Sequence, residues 1–282
     1  MQSILTIPPI NGIIKPNHSP EKEAPRATTL KIMSFNLRVD NTGDGINSFT
    51  NRFHRVVEVL EQEKPDLVGF QEVTDSMRAR LRDHLPGYTV QGCGREKSYH
   101  GESMLIAYRK DAMELISLEN IWLSPTPSVP GSTFGGDQSG CPRMFTAALV
   151  KHDAVPTPFY FINTHLDHVG KEARYLGAMQ LCQYISARPA HFILTGDFNA
   201  TPDAREIGLI TSALADRGAV DCTAALGPTF HNFGRLAPEN RIKIDYIFTD
   251  GQCESSYVVE DIPVEGQYYS DHNAVCAYVT LE

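Results

Sequence analysis

The sequence predicts an α/β protein in which two packed sheets are covered by outer helices. Two observations point to this class. Strand-like apolar runs outnumber helical patterns, and many strands follow one another directly along the chain, while helices separate the other strands. The chain has 282 residues, 41% hydrophobic and 21% charged, which is an ordinary globular composition. Polar clusters extend from Asn36 to His272, and dividing the chain would split them, so we predict one domain over residues 29–282.

The first 28 residues predict a flexible, proline-rich N-terminal arm. They contain five prolines, and Pro8 and Pro9 break an apolar stretch that also lacks a basic start. This composition makes a poor secretory signal. No apolar run in the chain reaches the length needed to cross a membrane, so we expect no membrane partner.

Apolar periodicity places the elements in chain order. The first strand runs from Leu30 to Phe35, and a polar loop leads to a helix at 51–63. The stretch 124–142, rich in proline, glycine and serine, predicts a long loop, and loops of that length are often functional. Further helices are predicted at 74–85, 171–187 and 203–214. Further strands are predicted at 66–71, 88–92, 103–108, 113–122, 144–151, 158–164, 191–195, 242–248, 254–259 and 273–280.

The most informative motif follows the strand-like run 191–194, where Asp197 and Asn199 stand two residues apart. Residues i and i+2 of an extended chain point to the same side, so both side chains can reach one ligand. A carboxylate that accepts a proton and an amide that donates a hydrogen bond suit a bound water or a phosphoryl oxygen. The alternative is an ordinary turn, because Gly, Asp and Asn are common turn formers.

Similar polar clusters follow or interrupt other strand-like runs. Each is rich in Asn, Asp, Glu or His, and together they favour a shared cleft at one edge of the sheets. The clusters are Asn36; Gln71 and Glu72; Asn163, His165, Asp167 and His168; Asp245; and Asp271 with His272.

The order of these motifs resembles the endonuclease/exonuclease/phosphatase superfamily, which includes deoxyribonucleases, abasic-site endonucleases, inositol polyphosphate 5-phosphatases, sphingomyelinases and poly(A) deadenylases. The resemblance extends from about residue 30 to the C-terminus. It implies a four-layer α/β/β/α sandwich of two mixed sheets, with the site where the strand ends of both sheets meet. The motifs that carry the resemblance are Ser34-Phe35-Asn36, Gln71-Glu72, Asn163-Thr164-His165, Gly196-Asp197-Phe198-Asn199, Ile244-Asp245-Tyr246 and Ser270-Asp271-His272.

The resemblance also implies a divalent metal, Mg²⁺, for which Mn²⁺ could substitute. Hard cations of this kind prefer oxygen ligands. We predict Glu72 as the metal carboxylate and expect Asn36 and Asp271 to complete the metal environment, directly or through water. Glu72 could instead be an acid at a helix N-terminus, where the dipole stabilises it. Asn36 could be a turn residue, and Asp271 a local cap.

For the chemistry, Asp197 is expected to accept a proton from the attacking water, while Asn199 fixes the water or the phosphoryl group. His165 would stabilise the developing negative charge or the leaving group. The alternative for His165 is a hydrogen-bonded structural histidine, which is the usual fate of a single buried His.

His272 is expected to contact a phosphoryl oxygen or to act as an acid or base, with Asp245 orienting it through the other ring nitrogen. A lone carboxylate buried in a strand is costly, and this pairing would explain both residues. An ion pair of Asp245 with Arg241 or Lys243 stays open as the alternative.

Specificity is expected from loops. Arg143 is a candidate clamp for a substrate phosphate or carboxylate, with loop anchoring as its alternative, and His100 and Glu102 are candidates for sugar hydroxyls. Phe230 is a weaker candidate for stacking. Arg38 stands where the abasic-site endonucleases carry an acid, which moves the chain away from that branch and towards deadenylases and phosphatases.

The formal net charge of −9, with 25 basic against 34 acidic residues, does not favour a nucleic-acid partner. We therefore predict hydrolysis of a small phosphorylated substrate, such as a sugar phosphate. The alternatives are a phosphodiesterase or nuclease, either a 3′ exonuclease of the deadenylase type or an endonuclease, and a catalytically silent binding protein. Six widely separated cysteines favour a reduced, cytoplasmic protein.

Overall fold

The computed structural model describes residues 29–282, which form two six-stranded mixed sheets. The predicted N-terminal arm lies outside the described residues. In hydrogen-bonded order, the first sheet consists of β11 (Gln252–Val259), β12 (Ala274–Thr280), β1 (Thr29–Asn36), β2 (Leu67–Val73), β4 (Ser103–Arg109) and β3 (Tyr88–Gln91). The second sheet consists of β5 (Met113–Trp122), β6 (Met144–His152), β7 (Phe159–His165), β8 (Phe192–Asp197), β10 (Asp245–Thr249) and β9 (Val220–Asp221).

Within residues 29–282, four α-helices cover the two sheets. They are α1 (Phe49–Glu63), α2 (Asp75–His84), α3 (Lys171–Ser186) and α4 (Arg205–Ala213). Short 3₁₀ helices lie at Thr42–Asn47, Ala215–Arg217 and Pro238–Asn240. Among the described residues, none of these helices combines the length and the apolar character required to cross a bilayer.

Three apolar layers hold this arrangement together. Met33 and Phe35 of β1 pack with α1 and α2 on the outer side of the first sheet. Leu30 and Ile32, on the other face of β1, pack against the second sheet. A third cluster joins the outer face of the second sheet to α3 and α4. The alternation of apolar residues along each strand therefore produces the predicted α/β/β/α sandwich.

The sheets approach each other closely near the cleft end of β1 and β2. A Cβ added to Gly69 would lie 2.2 Å from the Thr195 hydroxyl oxygen, so no larger residue fits there. Next to it, Gln71 Nε2 donates to Asn163 Oδ1 at 2.6 Å, and Asn163 Nδ2 donates to the Phe70 and Leu105 carbonyls. Asn163, which belongs to one of the sequence motifs, thus links the two sheets beneath the cleft.

The predicted elements agree with the structure in kind, and most boundaries differ by one to three residues. The strand predicted at 242–248 begins only at Asp245, because Ile242 pairs with Phe230 in an isolated bridge. The two-residue strand β9 and the 3₁₀ helices have no periodic pattern and were not predicted. All six cysteines are free thiols, and the cytoplasmic location stays a prediction.

Candidate active site

A cleft of about 490 Å³ opens where the ends of strands from both sheets meet. Four of its side chains form what we call the Glu72–His272 group: Glu72, Asp197, Asn199 and His272. Four others form what we call the guanidinium wall: Arg95, Glu102, Arg143 and His168. Arg38, His165, Phe230 and Asp271 complete the part of the lining used below. Residues from distant parts of the chain therefore share one cavity.

Strand alternation explains why most of these side chains converge. Ile32 of β1, Phe161 of β7, Ile193 of β8 and Ile247 of β10 all face the space between the sheets. Side chains that lie an even number of residues away on the same strand, in either direction, face the same space. In this way Asn36, His165, Asp197 and Asp245 reach the space between the sheets at the strand ends. The sequence pattern that builds the central core also builds the site.

Glu72 reaches the cleft by breaking this alternation. Regular pairing would turn it to the same side as Phe70, which packs in the outer core. The register of β2 against β4 shifts between Phe70 and Val73, and Glu72 has a left-handed φ of 60°. Such bulges re-aim side chains next to active sites. The bulge directs the Glu72 carboxylate to Asn36 Nδ2 at 3.2 Å and to the Val39 N–H at 2.9 Å.

Asp197 is the centre of the polar network in the cleft. Its carboxylate accepts from Asn36 Nδ2 at 3.0 Å and from the Asn199 N–H at 2.9 Å. Its Oδ2 lies 3.5 Å from His165 Nε2 and 3.8 Å from His272 Nε2. Burial, together with the nearby Asp245 charge, raises the pKa of Asp197 to about 7. A carboxylate with such a pKa can accept a proton near neutral pH.

His272 is paired with Asp245 as predicted from the sequence, because its Nδ1 lies 2.9 Å from Asp245 Oδ2. The same carboxylate oxygen accepts from the Thr229 hydroxyl at 2.5 Å. Burial disfavours the imidazolium, but the Asp245 charge outweighs burial and raises the pKa of His272 to about 10. Lys243 instead contacts Asp221 at 3.2 Å, so the structure favours the histidine as the partner of Asp245.

His165 and Asn199 form a second pair. Asn199, with a left-handed φ of 48°, places its Nδ2 2.9 Å from His165 Nε2 and 3.0 Å from the Leu166 carbonyl. Burial and the charges of Arg143 and Arg95 lower the pKa of His165 well below its usual range. The imidazole is therefore neutral, and its buried Nδ1 has no hydrogen-bond partner in the described part of the chain.

The guanidinium wall is a separate hydrogen-bonded unit. Arg95 Nη2 donates to Glu102 Oε1 at 2.9 Å. Arg143 Nε donates to Asp167 Oδ2 at 3.3 Å, and Arg143 Nη2 lies 2.7 Å from His168 Nδ1. The wall combines two cations, a carboxylate and an imidazole, which are groups that bind acidic and hydroxyl-bearing ligands.

With this geometry established, comparison with known proteins identifies the family. A model of the Endonuclease/Exonuclease/phosphatase family matches residues 33–272. The chain belongs to this family. Members are hydrolases of phosphoesters that generally use divalent metals. The resemblance and the fold predicted from the sequence are therefore both confirmed.

Three solved structures illustrate the relationship. The chain is 34% identical to an endonuclease/exonuclease/phosphatase from Bacteroides vulgatus, with a TM-score of 0.83 over 90% of this chain and all of that one. It is 25% identical to a mannosyl-6-phosphatase from Bacteroides thetaiotaomicron, with a TM-score of 0.78 over 89% of this chain and 99% of that one. It also shares the fold of D. rerio TDP2 complexed with single strand DNA product, at 20% identity and a TM-score of 0.72, over 89% of this chain and 99% of that one.

The oxygen donors beside Glu72 fit the divalent metal that this family generally uses. Burial opposes ionisation of Glu72, but the Val39 N–H and the charge of His272 outweigh it and lower the pKa of Glu72. An ionised carboxylate thus faces the cleft near the second acid, Asp271. Asn36 holds Glu72 in place through Nδ2, while its Oδ1 accepts from the Arg38 N–H at 2.9 Å. A place for Asn36 among the metal ligands stays a prediction.

A second set of donor atoms, from Asp197, Asp245 and His272, lies within 4.8 Å of one another. This set is a poor metal site, because His272 Nδ1 is bonded to Asp245 and the ring is held protonated. A metal ligand must be a neutral imidazole with a free lone pair. We therefore interpret these three residues as an acid–base group.

Not every predicted residue lies in the cleft. Arg143 and Glu102 line it. Asn36 and Asp245 do not line it themselves but bond to the lining residues Glu72 and His272. His100 does not line it either, and its side chain is 72% exposed and bonded to Asp75 at 2.8 Å. Gly101, with a φ of 81°, reverses the chain between His100 and Glu102, so the two side chains do not share a face. The structure gives no support for His100 in substrate binding.

Three contributors were not predicted as site residues. Arg95 lines the cleft, and its only sequence signal is the flanking glycines Gly92 and Gly94, which indicate a tight loop. Arg38 lines it and donates to Asp44 at 3.1 Å. Arg52, fully buried in α1, donates to the carbonyls of Leu37, Arg38, Asn47 and Tyr269 and so anchors the segments that carry Asn36 and Asp271.

Proposed function

We propose that the protein is a divalent-metal-dependent phosphomonoesterase of small organic phosphates such as sugar phosphates, with Mg²⁺ as its ion and Mn²⁺ as a substitute. One observation supports this proposal above the others. One cleft of about 490 Å³ is lined both by the Glu72–His272 group and by the guanidinium wall, whose side chains suit the rest of a small ester. Clefts of this size bind small molecules.

The residues divide the work of hydrolysis among them. Glu72 and Asp271 would hold the metal, which supplies positive charge to neutralise the phosphoryl oxygens. Asp197 accepts the proton of the attacking water, and its raised pKa suits that role near neutral pH. His272, charged through Asp245, donates from Nε2 to a phosphoryl oxygen.

Asn199 would fix the attacking water, and His165 would hold Asn199 in place. Asn199 Nδ2 donates to His165 Nε2 and to the Leu166 carbonyl, so its Oδ1 is the atom left to accept a hydrogen bond from the water. His165 is neutral, with Nε2 accepting from Asn199 and Nδ1 buried, and its role at the leaving oxygen stays a prediction.

Three observations favour a sugar phosphate as the substrate. The net charge of −9 gives the protein no overall attraction for a polyanion. The similar protein named mannosyl-6-phosphatase acts, by that name, on a phosphorylated sugar. The Arg, Glu and His side chains of the guanidinium wall are groups that recognise sugar hydroxyls and acidic substituents.

A phosphodiesterase or nuclease activity is the second candidate. The Phe230 ring lines the cleft with its centroid 4.9 Å from that of His272, a position from which it could stack on a base or a sugar. The third candidate, a catalytically silent binding protein, has less support, because Asp197, Asn199, Asp245 and His272 form one connected acid–base network.

The test is a substrate panel of sugar phosphates, nucleotides, poly(A) and single-stranded DNA, assayed with Mg²⁺ for released orthophosphate and for shortened oligonucleotides. We expect orthophosphate from sugar phosphates, and a loss of at least about 100-fold in kcat for Asp197→Ala and for His272→Ala. Arg109→Ala, in a half-exposed residue at the far end of β4, serves as the control. Cleavage of oligonucleotides alone would overturn the monoesterase proposal in favour of the nuclease, and inactivity on every substrate would favour the silent binding protein.

A further inference from the structure

Two guanidinium groups are buried in the wall of the cleft without enough acceptors. Arg95 and Arg143 are each only 4% exposed, and both line the cavity. Within residues 29–282, Nε and Nη1 of Arg95 and Nη1 of Arg143 are buried and have no hydrogen-bond partner. Buried charged donors are costly when unpaired, so they are normally satisfied. An acceptor from outside the chain would complete them.

The guanidinium wall is separate from the Glu72–His272 group. The side chains of Arg95 and Arg143 bond to Glu102, Asp167 and His168. Among the described residues, no hydrogen bond joins either arginine side chain to the Glu72–His272 group. The cleft thus contains two polar units, and an acceptor bound at the wall would be distinct from the phosphoryl group under attack.

The electrostatic balance at the wall favours an anion. Burial, and next the charge of Arg95, lowers the pKa of Arg143. Burial and the same two guanidinium groups lower the pKa of His165 and of His168. Burial raises the pKa of Glu102 more than the charge of Arg95 lowers it. The neighbouring guanidinium charges that lower the pKa values of Arg143, His165 and His168 correspond to a positive potential at the wall.

The loops that carry the two arginines are locked together. Trp122 Nε1 donates to the Arg95 carbonyl at 2.6 Å, and the Arg95 N–H donates to the Glu102 carbonyl at 2.9 Å. Gly131, with a φ of 74°, packs so tightly on the neighbouring loop that an added Cβ would lie 2.8 Å from the Lys97 nitrogen. The donors are therefore held in place before a ligand arrives, which lowers the cost of binding.

From these observations we propose a second anion-binding subsite at Arg95 and Arg143, which binds a carboxylate or a second phosphate on the alcohol portion of the substrate. The inference rests on the proposed phosphatase function and narrows its substrate class to phosphate esters with a second acidic group. A guanidinium pair suits both anions, because each can accept two parallel N–H bonds. Arg95 and Arg143 are thus specificity-determining residues.

The decisive experiment measures binding without turnover, by calorimetric titration in EDTA. The probes are glucose 6-phosphate, 6-phosphogluconate and glucose 1,6-bisphosphate, which differ in having no second anion, a carboxylate or a phosphate. We expect the wild-type protein to bind at least one doubly acidic probe about tenfold or more tightly than glucose 6-phosphate, the equivalent of about 1.4 kcal/mol. Arg95→Met and Arg143→Met should remove that preference, while Arg109→Met, in a half-exposed arginine paired with Asp111, should retain it.

Each possible result of this binding experiment either supports or overturns the proposed subsite. Equal affinity of the wild-type protein for all three probes overturns the subsite, even if every probe is hydrolysed when Mg²⁺ is added. A uniform loss of affinity in Arg95→Met shows that the pair holds the phosphoryl group common to the probes, and this also overturns it. Tight binding of a doubly acidic probe without hydrolysis leaves the subsite standing and refutes the phosphatase proposal. Should the methionine variants fail to fold, the affinities of the three probes for the wild-type protein and for Arg95→Lys still test the subsite.

Discussion

At the residue scale, the charge on His272 depends on the carboxylate behind it. Asp245 has one oxygen 2.9 Å from His272 Nδ1, and both side chains are buried. This contact raises the pKa of His272 to about 10 in spite of burial, so the ring is an imidazolium throughout the neutral range. A fixed cation aimed at the cleft is suited to donate to an anionic phosphoryl oxygen.

We therefore expect Asp245→Asn to lower kcat by about 100-fold or more, because the amide neither holds the charge nor fixes the tautomer of His272. It should also change the pH profile. With the raised pKa, the wild-type imidazolium is lost only as the pH approaches about 10, whereas in the variant it is lost near the usual histidine pKa of about 6.5. The variant should therefore lose its remaining activity as the pH rises from about 6 to 8, measured as kcat against pH. Asp111→Asn, at an exposed site, is the matched control, and parallel profiles in the two variants would refute this role of Asp245.

The sequence could predict which residues share the cleft but not how all of them reach it. Asn36, His165, Asp197 and Asp245 follow from strand alternation at strand ends, which is a local property. Glu72 arrives through a bulge whose left-handed backbone no apolar pattern records. Arg95 and Arg143 lie in different loops, and their meeting depends on how Gly131 and Trp122 pack those loops together. Long-range packing of this kind leaves no periodic signal in a single sequence.

At the scale of elements, Asp167 organises the loop that forms one wall of the cleft. Its carboxylate accepts from the Ser139 hydroxyl and N–H, from the Val169 and Gly170 N–H groups, and from Arg143 Nε. It thereby joins the end of β7, the start of α3 and the long loop 124–142. The loop predicted from its Pro, Gly and Ser content is thus an ordered structure, and Asp167 accounts for part of that order.

We expect Asp167→Asn to lower the free energy of unfolding by about 2–4 kcal/mol, because it removes a buried charge and replaces an accepting oxygen with a donor. Urea denaturation at pH 7 measures this loss. Asp137→Asn is the control: within the described residues this exposed carboxylate accepts from the Glu172 and Ala173 N–H groups of α3, and we expect a clearly smaller loss.

The loss should also depend on pH. Burial raises the pKa of Asp167, but the Ser139 hydroxyl and the backbone N–H donors outweigh burial and lower it to about 2. A lowered pKa means that the ionised group stabilises the fold above its unfolded pKa of about 4, and that this stabilisation disappears as the pH falls towards 2. The difference between wild type and Asp167→Asn should therefore shrink between pH 5 and pH 3. A difference that stays constant over this range would contradict the role of the Asp167 charge.

At the scale of the whole molecule, contacts within the sandwich hold the site residues in place. Three apolar layers pack the sheets and helices, and the linked amides of Gln71 and Asn163 close the space between the sheets beneath the cleft. Arg52 adds a fully buried anchor for the chain around Asn36 and Asp271. None of these contacts involves the oxygen atoms proposed to hold the metal, so folding and metal binding should be only weakly coupled.

Removal of divalent ions should consequently abolish activity without unfolding the protein. After dialysis against EDTA, we expect phosphatase activity to fall by about 100-fold or more and to return with Mg²⁺ or Mn²⁺. A metal at about ten times its Kd stabilises the native state by only about 1.4 kcal/mol, which for a protein of this size corresponds to a Tm change of a few degrees. Glu72→Gln should lose activity at every Mg²⁺ concentration and should no longer show the Tm increase that Mg²⁺ gives the wild-type protein. Full activity in EDTA, or a Mg²⁺-dependent Tm that persists unchanged in Glu72→Gln, would show that the ion does not bind at this carboxylate.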